Sequence, residues 1–135
     1  MRAAFAALVL LGACASPQPQ ELPAPPLPQR AGVDPVVAAR AEGVSFLAHG
    51  EAPAFELRFY EDRITLKLAS GQLQSFARPE PRYPRWNGSI HETSNSTHRL
   101  IVSIRDDRPC PETPGQNVVE VMFDAQELRG CGREI

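Results

Sequence analysis

At 135 residues the chain has room for one domain with one hydrophobic core. Its 14 basic and 16 acidic residues leave a formal charge of -2, without the clustered basic face of a nucleic-acid binder. No C-x-x-C spacing occurs among its three cysteines, which argues against a zinc site of the usual pattern.

Arg2 precedes an apolar run from Ala3 to Leu11, followed by the small residues Gly12-Ala13 and then Cys14. The run falls well short of the roughly 20 apolar residues that span a bilayer, so it reads as a processed signal. An ordinary secretory signal also ends in small residues. Leu11 three places before Cys14 instead gives the pattern of a bacterial lipobox, in which the cysteine is lipidated and residues 1–13 are removed. A lipoprotein of this kind would carry two or three acyl chains on Cys14, each CH₂ contributing about 0.8 kcal/mol to membrane binding. By similarity to that class, Ala15 after the cysteine points to the outer membrane, facing the periplasm.

Residues 14–35 then read as the lipidated cysteine and a tether. Seven of the chain's 14 prolines fall between Pro17 and Pro35. Proline lacks an amide donor and favours extended polyproline geometry, so the stretch is expected to act as a semi-stiff spacer. A proline-rich recruitment segment is the other reading.

Residues 36–135 are expected to form the folded domain. Asp34-Pro35 before Val36 to Glu42, closed by Gly43, supplies an N-cap, a proline suited to the first turn and a glycine stop, so one short helix is predicted. Beyond Gly43 the apolar period becomes two. Phe46/Ala48, Phe55/Leu57/Phe59, Ile64/Leu66/Leu68, Leu100/Val102/Ile104 and Val119/Val121/Phe123 each alternate with polar neighbours. Leu73–Arg78, Ile90–Thr93 and Glu127–Cys131 are weaker strands. The pattern predicts an all-β, mainly antiparallel domain of about seven to eight strands, a small barrel or a curled sheet.

Once Cys14 is set aside, Cys110 and Cys131 remain, and an even pair in an oxidising compartment predicts one disulfide. It would pin the terminal hairpin to its neighbour. A redox-active pair is the alternative reading.

The domain's opening, Phe46-Leu47-Ala48-His49-Gly50-Glu51-Ala52-Pro53-Ala54-Phe55, and its ending, Leu128-Arg129-Gly130-Cys131-Gly132-Arg133, resemble a family of uncharacterised bacterial envelope lipoproteins. Those domains open on G-x-E-P-G-W or close to it, carry a later cysteine and finish on Gly-Cys-Gly. The resemblance covers about Val44 to the end and implies a small disulfide-bonded β domain. Ala52 and Phe55 stand where the family has Glu and Trp, and Pro111 to Gly115 lacks the family's Asp and Met.

No nucleophile motif, phosphate-binding glycine loop or metal-ligand spacing occurs, so no catalytic residue, metal or cofactor is expected beyond the covalent lipid. His91 and His98 could face each other across a hairpin near Glu92, but three such groups do not make a metal site. Asp106-Asp107-Arg108 reads as a charged turn rather than a calcium site. The candidate partner-binding loop is Arg82, Tyr83, Arg85 and Trp86, because Trp, Tyr and Arg are enriched at interface hot spots. Alternatively, Trp86 plugs one end of the barrel and the arginines are solvated.

The expectation is a membrane-anchored, non-catalytic binding or accessory domain of the bacterial envelope, with an envelope protein or a glycan as partner and no nucleic acid. One alternative is a lysozyme-inhibitor-like lipoprotein, of whose Ser-Gly-x-x-Tyr motif Ser70-Gly71-Gln72-Leu73 keeps only the first half. Another is a structural subunit of an envelope complex.

Overall fold

The computed structural model describes Gly12 and residues 34–135; the signal segment, Cys14 and the tether up to residue 33 lie outside the described residues. One short helix, α1 (Pro35–Ala41), leads into eight strands: β1 (Phe46–Glu51), β2 (Ala54–Phe59), β3 (Arg63–Leu68), β4 (Leu73–Ala77), β5 (Gly88–Ser94), β6 (Arg99–Pro109), β7 (Asn117–Phe123) and β8 (Gln126–Glu134). The Asp34 side chain accepts from the Val36 amide at 2.9 Å, and Gly43 at φ +89° ends the helix. The expected helix and all eight strands are present.

Every strand pairs antiparallel with its neighbour in sequence, apart from β4 and β5, and β8 returns to pair with β1. The order β4-β3-β2-β1-β8-β7-β6-β5 is therefore an up-and-down barrel, nearly closed, with one seam between β4 and β5. Side chains bridge that seam where backbone pairing stops. Thr93 Oγ1 donates to the Ala77 carbonyl at 2.8 Å, and Asn95 Nδ2 donates to the Ser75 carbonyl at 3.2 Å. Beside them, Arg82 and Ile90 exchange two backbone hydrogen bonds of 2.8 Å each, covering part of the free edge of β5. An exposed edge invites pairing with another chain, and these contacts blunt it.

The strand alternation sends one apolar set inward. Cross-strand pairs such as Phe46↔Phe59, Leu57↔Leu66, Ile64↔Phe76, Val102↔Val121 and Leu100↔Phe123 form the core, all buried. Each such side chain contributes about 1.5–3 kcal/mol relative to exposure, and together they fill the barrel with side chains. Gly130 and Gly132 give the rings room. A Cβ on Gly130 would lie 2.2 Å from the His49 carbonyl oxygen and 2.9 Å from the Phe55 ring, and one on Gly132 would lie 2.7 Å from the Phe46 ring. The Gly-Cys-Gly ending thus has a packing cause: two glycines face inward beneath phenylalanines, and Cys131 between them faces out.

Cys110 and Cys131 form a disulfide, with Cα atoms 5.9 Å apart. It fixes the segment after β6 across the outer face of the β7–β8 hairpin, where outward-facing Val118 is buried at 4% exposure. Asp106-Asp107-Arg108 departs from the expected turn, since these residues continue β6 to Pro109 across a register irregularity. Arg105 holds Asp107 by two bonds of 3.0 and 2.9 Å, and Asn117 donates to Asp106 at 3.4 Å. With Asp107 paired to Arg105 within the strand and Asp106 hydrogen-bonded across it, the acidic run is accommodated in extended backbone.

Candidate functional site

Where β1, β3, β5 and β7 begin, the barrel mouth is open to solvent. Its cleft, about 450 Å³, is lined by Ser45, Phe46, Phe59, Arg78, Tyr83, Ser89, His91, Asp106 and Glu134, among others. β5 makes this end polar. Its residues Ser89, His91 and Thr93 pair with Ile104, Val102 and Leu100, which face the core, so all three point inward. A strand with polar residues on its core face escapes the usual apolar alternation, and this accounts for its weak signal in the sequence.

Among the described residues His91 is the buried polar side chain, 5% exposed. Its ring meets Phe59 edge-on at 4.8 Å, and Nε2 lies 3.1 Å from Ser89 Oγ. Nδ1 is buried without a partner. An orphaned polar group of this kind costs roughly 1–3 kcal/mol, so an apolar residue would serve the barrel better. Burial, aided by the positive charge of Arg78, pushes the imidazole down to about 4. The ring is therefore neutral at pH 7.

The serine and histidine stand at hydrogen-bond distance, as a nucleophile and base would. Two features weaken that use. Nδ1 has no carboxylate to orient the ring, and a base titrating near 4 has little driving force for taking a serine proton at neutral pH. The arrangement is better suited to holding a group than to activating one.

Arg78 overlooks the cleft. Its Nη1 donates to the Tyr60 carbonyl at 2.7 Å and to Ser45 Oγ at 3.4 Å, and its guanidinium sits 5.5 Å from the Phe59 ring centroid. Nearby Tyr83 is 78% exposed and lines the same cleft.

The four residues of the expected partner-binding loop take separate settings. Tyr83 lines the mouth. Arg82 is bonded to Glu92 at 3.1 Å, and Glu92 also binds Arg99, which holds its carboxyl below the usual range. Arg85 is exposed. Trp86 lies half-buried against the outer face, with the Arg105 guanidinium 4.1 Å above its ring, rather than plugging the barrel. Arg105 neighbours core-facing Ile104 in the strand, so it points outward and carries the tryptophan with it.

The histidines do not converge. His91 faces inward on β5, His98 lies in the β5–β6 turn, and His49 is exposed on β1. Among the described residues no group of three or more His, Cys, Asp or Glu side chains is placed to hold a metal ion. Ser70-Gly71-Gln72 forms the β3–β4 turn, with Gly71 at φ +86° and Ser70 Oγ accepting from the Gln72 amide at 3.3 Å. The sequence reading missed Arg78, Ser89 and His91 as one site. The available signal was two polar residues spaced by two, Ser89 and His91, in a strand whose partner was strongly apolar.

Comparison with protein-family models, curated proteins and solved structures finds no match to this chain.

Proposed function

We propose that the chain is a lipid-anchored protein of the bacterial cell envelope whose barrel is a non-catalytic binding or accessory domain. One observation carries the anchoring: the barrel's disulfide uses Cys110 and Cys131 and leaves Cys14 as the third cysteine, at the end of Leu11-Gly12-Ala13-Cys14. A disulfide between Cys110 and Cys131 suits an oxidising compartment, which is where a lipidated cysteine of this kind would hold the domain. The resemblance of the Gly-Cys-Gly ending to envelope lipoproteins supports the same reading. In favour of binding over catalysis stands the mouth, which offers a cleft with weakly basic and cationic groups beside exposed Tyr83.

The test compares membrane fractionation of the wild-type chain and Cys14→Ser in a bacterial host, with in-cell crosslinking of both. The proposal expects the wild type in the membrane fraction, the variant released, and a reproducible crosslinked partner or glycan that depends on anchoring. A variant that remains in the membrane fraction overturns the anchor.

A further inference from the structure

Two features of the mouth are unexplained by the fold. His91 Nδ1 is buried without a partner, in a barrel whose remaining buried interior is apolar. Arg78, directly after β4, is held by the Tyr60 carbonyl and Ser45 Oγ at the rim of the mouth and has no carboxylate within ion-pair distance among the described residues, as also holds for Arg40, Arg85, Arg129 and Arg133, none of which lines this cleft. Both line one cleft.

We infer that the cleft between Arg78 and His91 binds the single carboxylate of a small organic acid with an apolar body. The inference rests on the barrel being a binding module and is independent of the lipid anchor. Arg78 is preorganised to receive an anion, since the Tyr60 carbonyl and Ser45 Oγ hold Nη1 in place and leave Nε and Nη2 as donors. His91 lines the same cleft, and its unpartnered Nδ1 is a second polar atom there. Phe46, Phe59 and Tyr83 provide the apolar wall, which selects an organic acid over an inorganic anion. Asp106 and Glu134 line the same cleft, and their charges oppose a multiply charged ligand such as phosphate more strongly than a monoanion. The carboxylate has two sources with the same chemistry, a free acid or the C-terminus of a peptide.

The full chain, labelled with ¹⁵N, is titrated with 3-phenylpropionate, with its primary amide, and with an N-acetylated tripeptide ending in a free or an amidated phenylalanine. The expected result is saturable shifts at Tyr83, Ser89 and His91 with an acid, and binding at least about tenfold weaker for the matching amide, the usual loss when a charge-assisted bond is removed. Binding by both acids identifies a free acid as sufficient, whereas binding by the peptide acid alone assigns the source to a chain terminus. Arg78→Gln should weaken the acid by about tenfold or more, and Arg78→Lys should recover part of it. Because Arg78 also ties Tyr60, exposed Tyr83→Ala serves as a second variant that leaves the core untouched, and it too should weaken the acid. Equal binding of acid and amide, no shift at the mouth with either acid, or affinity unchanged in both Arg78→Gln and Tyr83→Ala overturns the inference. A mouth that ignores both acids, in a protein that still crosslinks to an envelope partner, overturns the site and leaves the binding module standing.

Discussion

His98 Nδ1 lies 2.6 Å from Asp124 Oδ2, joining the turn between β5 and β6 to the turn between β7 and β8. The other oxygen, Oδ1, accepts from the Arg99 amide at 2.9 Å, and Asp124 itself adopts φ +51°. One carboxylate thus caps one hairpin from its place in the next. The Arg99 amide first, and His98 second, hold Asp124 below the usual carboxylate range.

A carboxylate depressed in the folded state stabilises the fold above its unfolded value, and the contribution is lost as pH falls through the folded one. Asp124→Asn keeps a residue that tolerates positive φ and removes the charge. It should melt below the wild type at pH 7, and the gap should close in strongly acid solution. Thermal melts across pH measure this, and a gap that persists below the carboxylate range would assign the effect to the turn alone.

His91 has the opposite charge type but the same direction with pH. Depressed from 6.5 to about 4, it binds a proton in the unfolded chain before it does in the barrel, so stability is complete above pH 6.5 and declines toward pH 4. The loss amounts to as much as about 3 kcal/mol. His91→Leu should be at least as stable as the wild type at pH 7 and should flatten the decline. Denaturant titrations at pH 7 and pH 4.5 decide it; equal pH sensitivity in the two proteins would remove His91 as its source.

The two inward glycines should differ. Gly130→Ala drives a methyl against the His49 backbone carbonyl, which cannot step aside, whereas Gly132→Ala meets the Ala48 methyl and the tip of the Phe46 ring. Overpacking of this sort costs roughly 1–3 kcal/mol, with Gly130 at or beyond the upper end and Gly132 below it. Chemical denaturation of the two variants gives the comparison.

Opening the disulfide should cost about 3 kcal/mol for a loop of this length, 21 residues apart in sequence, and lower Tm by on the order of 10–20 °C. Cys131→Ala and melting under a reductant should agree, and an unchanged melt in both would show that the cross-link adds no stability.

The fold was legible because most strands state it locally. Phe55-Leu57-Phe59 and Leu100-Val102-Ile104 alternate against polar neighbours, and a core-facing set of that kind has one register. The disulfide followed from cysteine arithmetic. β5 was harder, since Ser89, His91 and Thr93 turn polar groups inward and erase the alternation. The mouth was illegible for a related reason. Arg78, Ser89 and His91 are gathered by barrel closure across an incomplete seam, and nothing local in Leu73–Arg78 or Ile90–Thr93 announces that meeting. The Arg82–Trp86 segment drew notice by composition, yet Arg105 claims Trp86 and Glu92 claims Arg82, partners distant in sequence.

The most direct test of the central claim is intact-mass and peptide mass spectrometry of the protein recovered from a bacterial host. A chain beginning at Cys14, with a diacylglyceryl group on that cysteine and a Cys110–Cys131 cross-link, is the predicted result. A free, unmodified Cys14 in the mature chain would contradict the assignment of a lipid-anchored envelope domain.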